Sequence, residues 1–158
     1  MRTELWHPLL VHLPVVTLLL VSIAGLLHFM IKNTGLTIFL MKFIELMTLL
    51  GVLGGWAAIY TGQLAYNIEV RKICDPKVLQ EHQFWSYAAI ITYSVLLLLL
   101  IVQKFTGSNV ILKLVAAVCF IFGFSSLCYA GHLGARVVYE QGAGVHKPKE
   151  DCSDYILQ

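Results

Sequence analysis

Histidine is the residue type best placed to do chemistry in this 158-residue chain, which has six of them. His7 and His12 open a long apolar stretch, His82 opens another, His132 lies near the end of a third, and His146 follows in a polar tail. Only His28 belongs to the opposite end of its stretch. A neutral imidazole is a good ligand for a metal and an axial ligand for haem iron. Ionisable side chains inside a bilayer are costly and face the interior with a partner, so imidazoles gathered in one layer point to a functional site. Other chemistries are missing from the sequence. It has no C-x-x-C-H for covalent haem attachment, no C-x-x-C pair, no H-E-x-x-H and no phosphate-binding glycine loop.

The elements that must position these histidines follow from composition. Hydrophobic residues make up 58% of the chain and charged residues 13%, against roughly 45–50% and about 25% in soluble domains. Residues 5–31, 46–68, 82–103 and 114–135 carry no Asp, Glu, Lys or Arg. Each window is long enough to cross a hydrocarbon core of about 30 Å as a helix. The sequence therefore predicts an all-α membrane protein, a single four-transmembrane-helix domain with helices at about 7–31, 36–63, 76–103 and 110–141 and a polar tail over 145–158. Too little chain remains for a separate soluble catalytic domain. The formal net charge of +2 includes no basic run that would track phosphates, so nucleic acid is not an expected partner.

Local signals refine this outline. His7-Pro8 announces the first helix with His7 as an expected cap, and Pro14 predicts a kink. Lys32-Asn33-Thr34-Gly35 and Thr106-Gly107-Ser108-Asn109 are turns, Asp75-Pro76 caps the third helix, and Gly142-Ala143-Gly144 ends the fourth. The leucine-rich run Val95–Val102 is expected to face lipid, and Glu45 to pair with Lys42 three residues away. Cys119 and Cys128 read as small core residues, whereas Cys74 and Cys152 lie outside the membrane and form a disulfide only in an oxidising compartment. Short connections make the bundle up-down-up-down, which puts the N-terminus, the 64–81 connection and the tail on one face with five of the six histidines.

At 1.5 Å per residue, His12 and His132 sit roughly 5–10 Å inside the apolar boundary, with His7 and His82 near the surface. Matching by depth pairs His12 with His132 and His7 with His82. Residues five apart on a helix differ by about 140° in direction, so His7 and His12 serve different neighbours and a compact three-histidine zinc or copper site is disfavoured. One or two non-covalent haem b groups fit best, with His7, His12, His82 and His132 as ligands. Gly55, Gly131 and Gly134 would let a flat macrocycle approach helix backbones, and Arg136, one turn from His132, would meet a propionate. Two other readings stand beside this one. The histidines hydrogen-bond across helices in a cofactor-free anchor or assembly subunit, or His7, His82 and His146 handle metal ions at the surface. Gly51-x-x-x-Gly55 alone is an ordinary helix-packing pattern in membranes.

At His7-Pro8, Val11-His12-Leu13-Pro14, Glu81-His82 with Trp85, and Gly131-His132-Leu133-Gly134 through Val138-Tyr139-Glu140-Gln141-Gly142-Ala143-Gly144-Val145, the chain resembles the bacterial four-helix membrane family known as domain of unknown function 2231. The resemblance spans nearly the whole chain. Members occur alone or joined to c-type cytochrome modules, which implies a redox role and a haem-bearing bundle, and it adds Trp85 to the cofactor environment. Ala135 stands where the family often has glycine, and Gln141 where histidine is frequent, so His132 would have to act in place of that histidine. The expected function is a b-type cytochrome subunit in the bacterial inner membrane. It would relay electrons near one membrane face to other subunits of a redox complex, a c-type cytochrome or quinone. The first face holds seven Lys or Arg (Arg2, Arg71, Lys72, Lys77, Arg136, Lys147 and Lys149) mixed with acids, and the second holds Lys32, Lys42, Lys104 and Lys113. By density in short loops the second face is expected to be cytoplasmic, with the haem face and both termini periplasmic.

Overall fold

The computed structural model describes residues 3–31, 34–107 and 109–145. The expected turn at Lys32-Asn33, His146, and Cys152 with its possible bridge to Cys74 lie outside them. After a short turn of 3-10 helix, Thr3–Leu5, four helices follow: α1 (Trp6–Met30), α2 (Thr34–Glu69), α3 (Pro76–Thr106) and α4 (Val110–Tyr139). All four are long and apolar enough to cross a membrane, and the protein is an all-α four-helix membrane bundle. Its outer surface is a coat of exposed Leu, Ile, Val and Phe side chains, as lipid contact requires.

Caps and glycines set the helix ends. The Asp75 carboxylate accepts from the Lys77 backbone N–H at 3.0 Å, with Pro76 in the first turn of α3. The Asn109 side chain accepts from Leu112 N–H at 2.9 Å to start α4, and positive-φ Gly142 and Gly144 shape the chain just beyond it. Four expectations are corrected. His7 is not a cap, because α1 already starts at Trp6 and Leu5 occupies the cap position without a side-chain bond. Glu45 pairs with Lys104 of α3 at 2.6 Å, not with Lys42, since the α3 lysine reaches across the seam. Cys119 is buried but Cys128 is exposed on the outer surface of α4. Within Val95–Val102, Leu96 and Leu100 are buried in the core while Val95, Leu98, Ile101 and Val102 face outward, because one side of α3 must pack on its neighbours.

The helices are arranged as two tight hairpins, α1 with α2 and α3 with α4, joined by a thinner α2–α3 seam and a thinner still α1–α4 seam. Small residues make the close approaches. Gly51 lies against Thr17 and Leu18, and Gly123 against Thr92 and Tyr93. These contacts are the same contact made twice. A shift of 75 positions carries Thr17 and Leu18 onto Thr92 and Tyr93, and a shift of 72 carries Gly51 onto Gly123. The Thr17 hydroxyl donates to the Leu13 carbonyl at 2.8 Å and that of Thr92 to Ala88 at 2.7 Å, again 75 positions apart. The bundle is a repeated hairpin with both copies running in the same direction through the membrane, an arrangement related by an axis along the membrane normal.

Candidate functional site

The repeat delivers its histidines to the same place. His7 lies in the first turn of α1, and its Nδ1–H donates to the Ala58 carbonyl of α2 at 2.9 Å. Its ring covers Gly62, where an added Cβ would come within 3.0 Å of Nδ1. His82, in the second turn of α3, repeats this on α4. Its Nδ1–H donates to the Ala130 carbonyl at 2.9 Å, and its ring covers Gly134, where a Cβ would meet Cε1 at 3.1 Å. Each imidazole therefore docks on an Ala-x-x-x-Gly notch of its partner helix. A carbonyl only accepts, so Nδ1 carries the proton in both rings and Nε2 of the neutral ring keeps its lone pair. A backbone carbonyl behind the far nitrogen is the usual way a metal-binding imidazole is oriented.

The two rings meet across the hairpins with centroids 6.2 Å apart and planes at 75°. They border a cleft of about 110 Å³ to which all four helices contribute, lined mainly by apolar side chains such as Val11, Pro14, Ile59 and Ile90 and by the small residues Gly55, Ala58, Ala130 and Gly131. Its polar groups are few. Gln83 Nε2 donates to Gln63 Oε1 at 2.6 Å between the hairpins, and the Ser86 hydroxyl donates to the His82 carbonyl at 2.7 Å. Among the described residues no group of three His, Cys, Asp or Glu side chains gathers as a metal ion would need. Two imidazoles are too few for a structural zinc site, but haem iron takes only its axial ligands from the protein.

The other expected site residues lie elsewhere. His12 is exposed on α1, and His132 is exposed on α4, stacked on Tyr129 with centroids 6.3 Å apart. Among the described residues neither a hydrogen bond nor a ring contact joins His12 to His132, and depth matching for that pair fails because the two rings point outward. Trp85 packs edge-on against Tyr129 and Phe84 and does not line the cleft. Arg136 holds Glu140 through its Nε at 2.9–3.0 Å. Gly131 borders the cleft with nothing within 4 Å of an added Cβ, and Gly55 is pressed against Ile90. His28 is at the far end, its buried Nδ1 without a hydrogen-bond partner among the described residues. Sequence reasoning missed Ala58, Ala130 and Gly62, although the twin Ala-x-x-x-Gly spacing was readable, and it missed the Gln63–Gln83 bond, for which the sequence holds no signal.

A membrane bundle of two like hairpins with one inward histidine each is the class that the fold and the site define. A family model described as a predicted membrane protein of domain of unknown function 2231 matches residues 5–147, and the chain belongs to that family. No curated protein and no solved structure matches it.

Proposed function

We propose that this protein is a membrane b-type cytochrome subunit in which His7 and His82 would hold one non-covalent haem b. The observation that carries this reading is the neighbouring pair of imidazoles, each with Nδ1–H fixed on a helix carbonyl and the Nε2 lone pair left free to bind a metal. The two rings, one from each hairpin, have centroids 6.2 Å apart, so both would be within reach of one group held in the cleft. The cleft's 110 Å³ admits the macrocycle only when the hairpins move apart, and the thin α1–α4 seam is where they can. Bound there, haem iron would exchange single electrons. The chain's own residues hold the ligand rings, keep water out with aliphatic side chains and glycine backbone, and place the site near one membrane face. The outward positions of His12 and His132 favour one haem over two.

In this reading the electron partners are other subunits of a membrane redox complex, a c-type cytochrome or quinone. On the same reading the protein sits in the bacterial inner membrane with the histidine end periplasmic: the opposite end carries Lys42, Lys104 and Lys113 in helix turns near its short connections, whereas the basic residues of the histidine end, among them Arg71, Lys72, Lys77 and Arg136, are mixed with Glu69, Asp75, Glu81 and Glu140. The test is a reduced-minus-oxidised visible spectrum of detergent-purified protein expressed with haem supplied. Sharp reduced bands and acid-extractable haem at one per chain are expected. They should be lost in His7→Ala and in His82→Ala and kept in His12→Ala and His132→Ala. A featureless spectrum from folded protein overturns the proposal and leaves the two histidines as latches that tie each hairpin together.

A further inference from the structure

Away from the histidine cleft, the α2–α3 seam opens into a groove of about 330 Å³ lined by Lys42, Glu45, Leu49, Leu97, Ile101 and Lys104. We propose that this groove binds one anionic phospholipid, its phosphate between the Lys42 and Lys104 ammonium groups and an acyl chain along the leucines below. Three observations carry the assignment. Lys42 precedes the uncharged window 46–68 and Lys104 directly follows the window 82–103, so both amines stand at the level where apolar core gives way to headgroups. The charges do not cancel: Glu45 is taken by Lys104 at 2.6 Å, and Lys42 is exposed with no ion-pair partner among the described residues. The feature is also not demanded by the frame. At the equivalent positions of the sister α1–α4 seam the repeat puts Leu114, Ala117 and Phe29, none of them charged.

The groove's chemistry selects an amphipathic anion over a free one. The amines supply attraction for a phosphate without a compensating choline, and the aliphatic walls supply contact that inorganic phosphate cannot use. A juxtamembrane lysine contributes to anionic-lipid attraction on a scale of roughly fivefold in affinity.

Native mass spectrometry of the full-length protein, titrated with phosphatidylglycerol or phosphatidylcholine of the same acyl chains, tests this. One phosphatidylglycerol should be retained in preference to phosphatidylcholine, with affinity falling about fivefold in Lys42→Ala and again in Lys104→Ala. Lys42→Arg should retain it. Glycerol 3-phosphate and inorganic phosphate should not compete at concentrations similar to the lipid's. Equal retention of both lipids, unchanged affinity in Lys42→Ala, or displacement by free phosphate each overturns the proposal. Lys104→Ala also breaks the ion pair with Glu45, so Lys42→Ala decides if that variant fails to fold. Neither lysine touches the histidine cleft, so loss of the haem reading leaves this result unaffected.

Discussion

Glycine hydrogens at 62 and 134 are what let two imidazoles lie against helix backbone. A methyl group at either position would stand 3.0–3.1 Å from a ring atom, inside the 3.5–4.0 Å of ordinary carbon contact, so the ring has to shift by some tenths of an ångström. Gly62→Ala and Gly134→Ala should each destabilise the fold by about 1 kcal/mol and weaken or shift the haem spectrum while helicity by circular dichroism stays intact. Gly131→Ala, whose methyl meets no protein atom within 4 Å, should leave the stability unchanged. The sequence told part of this story. Five-residue spacing separated His7 from His12, and the structure does turn one inward and leave the other exposed. Pairing by depth succeeded for His7 with His82 and failed for His12 with His132, because depth is one coordinate and the direction around the helix is fixed by the partner. The carbonyls of Ala58 and Ala130 supply that direction, and backbone acceptors carry no letter in a sequence.

Charge-free windows located all four helices, since bilayer thickness imposes their length. They did not fix the ends, where the chain leaves the membrane and other forces take over. Expected to stop near Gln63, α2 runs to Glu69, whose buried carboxylate accepts from Gly144 N–H at 2.9 Å and pairs with Lys72 at 2.9 Å. The start of α3 was legible because Asp-Pro is a local signal. Asp75→Ala should cost about 1 kcal/mol through the orphaned Lys77 N–H, seen as a lower midpoint in denaturant with the visible spectrum unchanged below it. Within the bundle, Ser22 and Tyr93 hydroxyls bond at 2.7 Å between α1 and α3. Tyr93→Phe should lose about 0.6 kcal/mol, the average found for polar contacts between membrane helices, and a double mutant with Ser22→Ala should lose no more than the sum of the parts.

The repeat appears only at the scale of the whole molecule. Its equivalent positions share identity only at a few points, such as His7 with His82, Thr17 with Thr92 and the two Ala-x-x-x-Gly notches, while Leu18 answers to Tyr93 and Ile59 to Gly131. The scattered matches become a duplication only when the contacts of Gly51 and Gly123 or of His7 and His82 are seen to agree in kind. Two hairpins, each internally well packed and joined by thinner seams, should behave as two rigid bodies with a soft boundary. The α1–α4 side is the softest, and the proposed cofactor lies where the bodies meet. Spin labels on Leu20 and Leu50, both outward on the first hairpin, should give a narrow distance distribution, and labels on Leu20 and Ile121 across the α1–α4 seam a broader one. The four native cysteines must first be replaced. If His7 and His82 hold one haem between the hairpins, loading it ties the two bodies through a single iron, so the Leu20–Ile121 distribution should narrow and the Leu20–Leu50 distribution stay as it was. In His82→Ala the seam should remain broad with haem present, because a ligand held by one hairpin alone does not couple it to the other.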